Sequence, residues 1–397
     1  MPKALEDVRV VDLTRVIAGP YATMLLGDLG AEIIKIELPG RGDDARFGYP
    51  AVDGVPVAFL ALNRNKKGIT LDIRKPRGAE LLRRLVRDAD VLVENFAAGT
   101  MEKWGLGYAA LADINPRLIY AALSGFGHTG PYAGRTSYDI IAQAMGGLMS
   151  LTGFPDGPPV RGGGALGDFI GGVFTAVGVL AALHYRTQSG HGQMVDVSNM
   201  DAIFSLLDNW PTVYGMTGQL PPRTGNRHPF TAPYDCFHAK DGWVVIGVGN
   251  SALFRALVTA MGQPELGRDP RFKAPHARLE RHDEVNRLVA DWVKDRSVDE
   301  VMTTLGPDGA NVPCAPVMTL DRLLTDPHLR AREMVVELPH EKLGRIPVTG
   351  VPYHLSESPG RVERLGPELG EHNDEVYRGQ LGLSADELEA LRREGVI

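Results

Sequence analysis

The segment GGGALGDFIGG, Gly162 to Gly172, sets one carboxylate, Asp168, among glycines and apolar side chains. An aspartate just ahead of an apolar helix is a favoured cap, because it accepts hydrogen bonds from unpaired backbone N–H groups and meets the positive end of the helix dipole. A plain cap needs no glycines around it. Here Gly162, Gly163, Gly164, Gly167, Gly171 and Gly172 flank the acid. Such small residues leave room for a ligand. A carboxylate held ionised at a helix N-terminus is also a usable nucleophile. Asp168 therefore reads as a cap or as a reacting group, and the two are compatible.

Other chemistries find less support. The chain contains no GxSxG elbow, HExxH pair, EF-hand loop or Walker A loop. His128, His228 and His238 lack ligand spacing and read as loop or core histidines, so no metal is expected. Cys236 and Cys314 lie far apart with no CxxC pair, which points to reduced thiols in the cytoplasm. Arg41, Arg46, Lys66, Lys67, Arg74, Lys75 and Lys103 fall in loops or at strand ends, where they could grip phosphates or simply face water. In VVIGVGNSALF, Gly247, Gly249 and Asn250 either approach a substrate or form an ordinary strand-to-helix turn.

The elements expected to position these groups alternate in period. VRVVDL, AEIIKIE, GITLDI, DVLVENF and RLIYAALSGFG read as strands. GPYATMLLGDLG and PRGAELLRRLVRDA read as helices, the second with Leu81, Leu82, Leu85 and Val86 on one face. Strands alternating with helices imply a parallel sheet covered on both faces. Ligands of such sheets sit beyond the carboxyl ends of the strands. The informative loops are therefore TRVIAGP, LPGRGD, NF and GFGHTGPY, and the first carries no GxGxxG.

The expected layout is a large α/β domain over residues 1–208, a Gly/Pro-rich linker over 209–225, a small α/β domain over 226–325 and a return segment over 326–397. YDCFHAKDGWVVIGVG reads as a hairpin turning at Asp241-Gly242, and LSADELEALRREGVI as a terminal helix capped by Ser384 and Glu387. The apolar run Phe169 to Leu183 is shorter than the roughly 20 residues of a membrane span. MPKALEDVRVVDL lacks a signal-peptide core. A net charge of -7 gives no bulk attraction to nucleic acid or to a membrane surface, though a local basic pocket remains open.

Together VVDLTRVIAGPYATMLLGDLGAEIIKIE, NKKGITLDI, ADVLVENFAAGTMEKWGLGY, LIYAALSGFGHTGPYAGRTSYDIIAQAMGG, GALGDFIGG and LGEHNDEV resemble the class III CoA-transferase family. Formyl-CoA transferase and carnitine CoA-transferase belong to it, and alpha-methylacyl-CoA racemases share its fold. The resemblance covers nearly the whole chain, in order. It implies a Rossmann-like parallel sheet in a large domain plus a smaller α/β domain, with two ring-like chains interlocked as a homodimer. The site would lie between the large domain of one chain and the small domain of the other.

By the same resemblance Asp168 is the catalytic aspartate. Contacts to coenzyme A fall on Ile17, Ala18, Leu71, Asp72, Ile73, Arg74, Asn95, Phe96, Ala97, Lys103, Thr136, Ser137, Tyr138 and Asp139. A substrate loop falls on Gly247, Gly249 and Asn250, shorter and poorer in glycine than in formyl-CoA transferase. Leu38 replaces an arginine of that enzyme, and Arg41 is placed to take over its phosphate contact. Ile17 replaces a glutamine, which argues against formate and oxalate. Tyr138-Asp139 lacks the preceding histidine of the racemases, which favours transfer over racemisation.

The resulting expectation is transfer of CoA from an acyl-CoA, succinyl-CoA or another dicarboxyl-CoA among the candidates, to a carboxylic acid. Aspartyl anhydride and aspartyl-CoA intermediates would carry it, with no tightly bound cofactor. Arg15, Arg223 and Arg227 are candidates for pairing a distal carboxylate. An acyl-CoA racemase and a non-catalytic CoA-binding protein are the alternatives.

Overall fold

The computed structural model describes residues 3–47 and 50–397. The chain divides into two compact units, one of Met1–Met149, Arg161–Gly218 and Pro327–Ile397, the other of Ser150–Val160 and Gln219–Asp326.

The first unit is built on a six-stranded, all-parallel sheet: β1 (Arg9–Asp12), β2 (Glu32–Glu37), β3 (Lys66–Thr70), β4 (Val91–Glu94), β5 (Ile119–Ser124) and β6 (Met194–Ser198), in the order β3-β2-β1-β4-β5-β6. The chain is thus a mixed α/β protein with a Rossmann-like parallel sheet. Successive side chains of a strand face opposite sides. Val10 accordingly joins a core with Met24, Leu26 and Val179, while Val11 joins one with Leu82, Leu85 and Val376. The helices Ala18–Asp28 and Leu166–Ser189 cover the first face, and Pro76–Arg87 with the C-terminal segment covers the second. The strand order reverses between β1 and β4. Their carboxyl ends therefore open the crevice in which such sheets hold ligands.

The second unit carries the antiparallel sheet β7 (Tyr234–Ala239), β8 (Gly242–Gly247) and β9 (Cys314–Pro316). The helices Ser251–Ala260, His282–Val293 and Val298–Leu305 share its core with Phe237, Val244 and Ile246.

Several expectations are corrected. The sixth strand lies beyond the five expected. The supposed linker contains a helix, Trp210–Thr217, which has Pro211 in its first turn and ends at Gly218 in the left-handed region. The return segment holds an antiparallel hairpin, β10 (Val335–His340) and β11 (Gly344–Thr349), whose Leu338, Ile346 and Val348 pack on Phe59 and Leu60. The β7–β8 turn is Lys240-Asp241, one residue earlier than read, because Gly242 pairs with Ala239. The apolar run extends into a helix of 24 residues, long and apolar enough by composition to cross a membrane. One side of that helix (Thr175, Val179, Ala182, Arg186) is instead buried within the unit, and Arg186 is paired with Asp90. The terminal helix begins as expected with the Ser384–Glu387 capping box.

Candidate active site

Asp168 is not the N-cap of its helix. The helix starts at Leu166 and Ala165 occupies the cap, so Asp168 is the third helical residue. The cap is supplied from outside. Asp139 Oδ1 accepts hydrogen bonds from the backbone N–H of Gly167 at 2.7 Å and of Asp168 at 3.4 Å. Its Oδ2 accepts from Gln143 Nε2 at 2.8 Å, and Gln143 Oε1 accepts from Gly162 N at 2.8 Å. One helical turn, Asp139 to Gln143, thus holds both ends of the glycine-rich segment.

The Asp168 side chain lies mostly out of solvent and accepts from Asn199 Nδ2 at 3.0 Å. Burial and the neighbouring Asp139 charge push its carboxyl up to about 6, outweighing the Asn199 hydrogen bond. Desolvation thus raises a carboxyl that the sequence reading expects its helix N-terminus to hold ionised. The group is still mainly ionised at neutral pH, but more basic and more nucleophilic than a solvated carboxylate. The glycines do more than admit a ligand: a Cβ on Gly172 would lie 2.7 Å from Ala18 O, so this glycine lets two helices meet. At Gly163 the corresponding space is open.

Asp168 and Asn199 line a cleft of about 330 Å³ with Ile17, Ala18, Asn95, Phe96, Ala97, Thr136, Ser137 and Tyr138. These residues follow β1, β4, β5 and β6 or belong to the long helix. Asn95 ties two of those loops together, accepting from Arg15 N and donating to Arg15 O, each at 2.8 Å. Glu94, buried and pushed up to about 7 by desolvation, accepts from Phe96 N at 2.7 Å and holds the β4 loop. Arg15 and Phe96 also line a second cleft of about 260 Å³, with Arg41, Leu71, Asp72, Ile73 and Arg74. Arg41 and Arg74 are exposed cations paired with Asp44 and Asp72.

The structure separates the basic candidates. Lys66 is fully buried, pushed down to about 8 by desolvation, and bonded to Asp12, Thr23, Asn63 and Pro20 O. Arg46 is buried against Glu37, Lys67 is shared by Glu32 and Glu375, and Lys75 donates to Glu394 O and Gly395 O. These four serve the fold: carboxylates and carbonyls satisfy them, and none lines either cleft. Lys103 is exposed at the end of a short helix and lines neither cleft. Asp139 caps a helix rather than lining the cleft.

Lys66 and Lys35 with Asp12 and Asp43 form a buried ionic cluster beneath the β1 loop. Asp43 Oδ1 accepts from Val16 N at 3.0 Å, holding Val16 at φ +69, an unfavourable conformation for a β-branched residue.

In the second unit, Asn250 caps the helix Ser251–Ala260, its side chain accepting from Ala252 N and Leu253 N. Its side-chain oxygen is thereby committed to the turn, while Gly249 is unobstructed. Arg223 donates to Gly157 O, and Arg227 is paired with Asp235 and Asp283. Of the three arginines suggested for a distal carboxylate, only Arg15 lines the cleft of Asp168. Among the described residues no group of three or more His, Cys, Asp or Glu is arranged to hold a metal ion. Asn199 and Arg135 also line this cleft and were missed by sequence reasoning; Asn199 is the one that touches Asp168. It is the first residue after β6, the position that faces a ligand in this type of sheet.

The family model for CoA-transferase family III matches residues 5–373. The chain belongs to that family. It is 42% identical, over all of its length and 98% of the relative, to succinyl-CoA–D-citramalate CoA-transferase of Chloroflexus aurantiacus. It is 39% identical, over all of both chains to within 1%, to formyl-CoA:oxalate CoA-transferase of Streptomyces coelicolor. The crystal structure of a CaiB/BaiF family protein from Brucella suis superposes with a TM-score of 0.87 at 37% identity, covering 96% of this chain and 100% of that one. This family III CoA-transferase is an enzyme, and its relatives exchange CoA between carboxylic acids.

Proposed function

We propose that this CoA-transferase moves CoA from a dicarboxyl-CoA such as succinyl-CoA to a second carboxylic acid, with Asp168 as the nucleophile. The observation that carries this reading is a partly buried, basic carboxylate in a cleft that joins a second, arginine-rimmed cleft through Arg15 and Phe96. Arg41 and Arg74 suit the phosphates of a bound CoA, and the Asp168 cleft suits the thioester end. Arg15 lies where it can pair the distal carboxylate of the acyl group. The succinyl-CoA relative and the presence of Ile17 in place of a glutamine support a longer dicarboxylate such as succinate over formate and oxalate.

Asp168 attacks the thioester carbon, and the C–S bond breaks to give a mixed anhydride and CoA thiolate. The thiolate attacks the aspartyl carbon, releasing the donor acid and leaving an aspartyl-CoA thioester. The acceptor acid reverses the two steps. Splitting one exchange into acyl transfers through a covalent intermediate lowers each barrier. His128 does not line the cleft, so the histidine that would stand in as a second acid/base group for racemisation is not beside Asp168, which supports transfer.

We also infer a homodimer. The outer side of the long helix exposes Phe169, Val173, Phe174, Val177, Leu180 and Tyr185, an apolar stripe that a second copy would cover.

The test is a panel of acyl-CoA donors against acceptor acids, read by mass spectrometry, with Asp168→Ala and Asp168→Asn alongside. Wild-type transfer in either variant would overturn the nucleophile assignment. Solvent deuterium appearing at the α-carbon without an acceptor acid would indicate racemisation instead.

A further inference from the structure

We propose that Asn199 Nδ2–H is the oxyanion donor for the two tetrahedral intermediates that form on the Asp168 carboxyl carbon. The inference rests on Asp168 being the nucleophile.

Asn199 is buried, 6% exposed, and lines the same cleft as Asp168. Its Nδ2 lies 3.0 Å from Asp168 Oδ1, and Asp168 has no other side-chain hydrogen bond among the described residues. The amide is wedged in place. A Cβ on Gly171 would lie 2.0 Å from Asn199 Oδ1, so only glycine lets the amide sit against the helix. Asn199 Oδ1 itself has no hydrogen-bond partner, so its buried polar capacity is spent on one contact, the Asp168 carboxylate. Leaving a buried acceptor unpaired costs stability. An apolar side chain would avoid that cost but would donate nothing to Asp168.

The chemistry gives that contact a changing load. When Oδ2 bonds to the acyl carbon, Oδ1 becomes the carbonyl oxygen of the anhydride. Thiolate attack on the aspartyl carbon moves the C=O electron pair onto Oδ1. Collapse then expels Oδ2 with the donor acid and restores Oδ1 as the thioester carbonyl. Attack by the acceptor carboxylate loads Oδ1 a second time before thiolate leaves. A fixed N–H donor at Oδ1 stabilises both charge maxima, and donors aimed at developing charge accelerate such steps most. It makes no contact with the oxyanion on the substrate's own acyl carbon, so the first anhydride still forms without it.

The test uses the full-length enzyme with succinyl-CoA as probe donor. Asn199→Leu, close in size and without a donor, is compared with Asn199→Ser, which keeps a shorter donor. Quenched reactions without acceptor are digested, and the Asp168 peptide is weighed for acyl and CoA adducts. The expected result for Asn199→Leu is a kcat loss of about 10²-fold, the usual effect of losing one oxyanion donor, with KM for the donor little changed. Its Asp168 peptide shifts from CoA adduct towards acyl adduct, and Asn199→Ser partly restores both readouts. A purely structural role lowers activity without redistributing the adducts. Gly171→Ala displaces the amide from the opposite side and is expected to shift the adducts the same way, should Asn199→Leu not fold. Wild-type kcat and adduct ratio in folded Asn199→Leu would overturn the inference while leaving Asp168 as nucleophile. A wild-type enzyme that turns over with no adduct on Asp168 overturns both.

Discussion

Asp139 holds the helix that presents Asp168: one carboxylate accepts the backbone N–H of Gly167 and of Asp168 while its negative charge faces the other acid. The same residue positions Asp168 and makes it more basic. Asp139→Asn keeps a hydrogen-bond acceptor but removes the charge. The Asp168 pKa is then expected to fall from about 6 towards the ordinary carboxylate range. The acidic limb of the kcat/KM profile should move to lower pH. A limb that stays in place would show that burial alone sets this pKa.

Asp168→Asn should be inactive and more stable. The native carboxyl titrates near 6 and the unfolded one near 3.8, so the native state binds the proton more tightly. Ionisation therefore destabilises the fold, fully above about pH 6 and not at all below pH 3.8. At pH 7 to 8 the variant should gain on the order of 2 kcal/mol. The gain should vanish near pH 4. Thermal denaturation across this range reads the difference.

The cations of the large unit should separate into two classes. Lys66→Met strands Asp12 beside a lost partner, and breaking a buried pair costs about 3–5 kcal/mol. Its expected readout is a lower denaturation midpoint. Arg41→Ala and Arg74→Ala remove exposed charges from the cleft proposed to take the CoA phosphates and should leave the midpoint nearly unchanged. Each should raise KM for acyl-CoA about 5-fold, roughly 1 kcal/mol, with kcat retained. The reverse assignment would exclude this cleft as the phosphate site.

Val177→Asp places a charge at the centre of the exposed stripe on the long helix, where Val177 is 54% exposed. In a single copy a solvent-facing substitution costs little. In a dimer sealed by that stripe it buries an unpaired charge. Analytical ultracentrifugation should show wild-type dimers and a shift to monomers or unfolded chain. A dimer of undiminished stability removes this face from the interface.

Much of the site was legible in sequence because ligands of parallel sheets gather at strand ends. Ile17, Ala18, Asn95, Phe96 and Ala97 follow β-branched runs, and the structure places them beside Asp168. Arg41, in the loop after β2, lines the adjoining cleft with Leu71–Arg74. Only the family resemblance points to Leu71, Asp72 and Ile73, since they read as part of a strand that ends instead at Thr70. Asn199 escaped because MVDVS was not recognised as a sixth strand, so the residue after it drew no attention. For Lys66 and Arg46 the sequence left only phosphate contact or a solvent-facing role open, because charge in a sequence carries no sign of burial. Their partners, Asp12 and Glu37, sit 54 and 9 residues away; Asp12 meets Lys66 across the sheet, and Glu37 meets Arg46 where the loop after β2 folds back.

By itself the sequence determined the alternation of strands and helices, the family and the singular acid among glycines, since periodicity and motif order are local properties. Only the tertiary structure decided what that acid is. A second aspartate 29 residues away caps its helix, so Asp168 is free of that duty. Burial beside like charge raises its pKa, and an asparagine 31 residues away grips one of its oxygens. Desolvation, charge proximity and hydrogen-bond direction depend on distances through space, and no spacing along the chain encodes them.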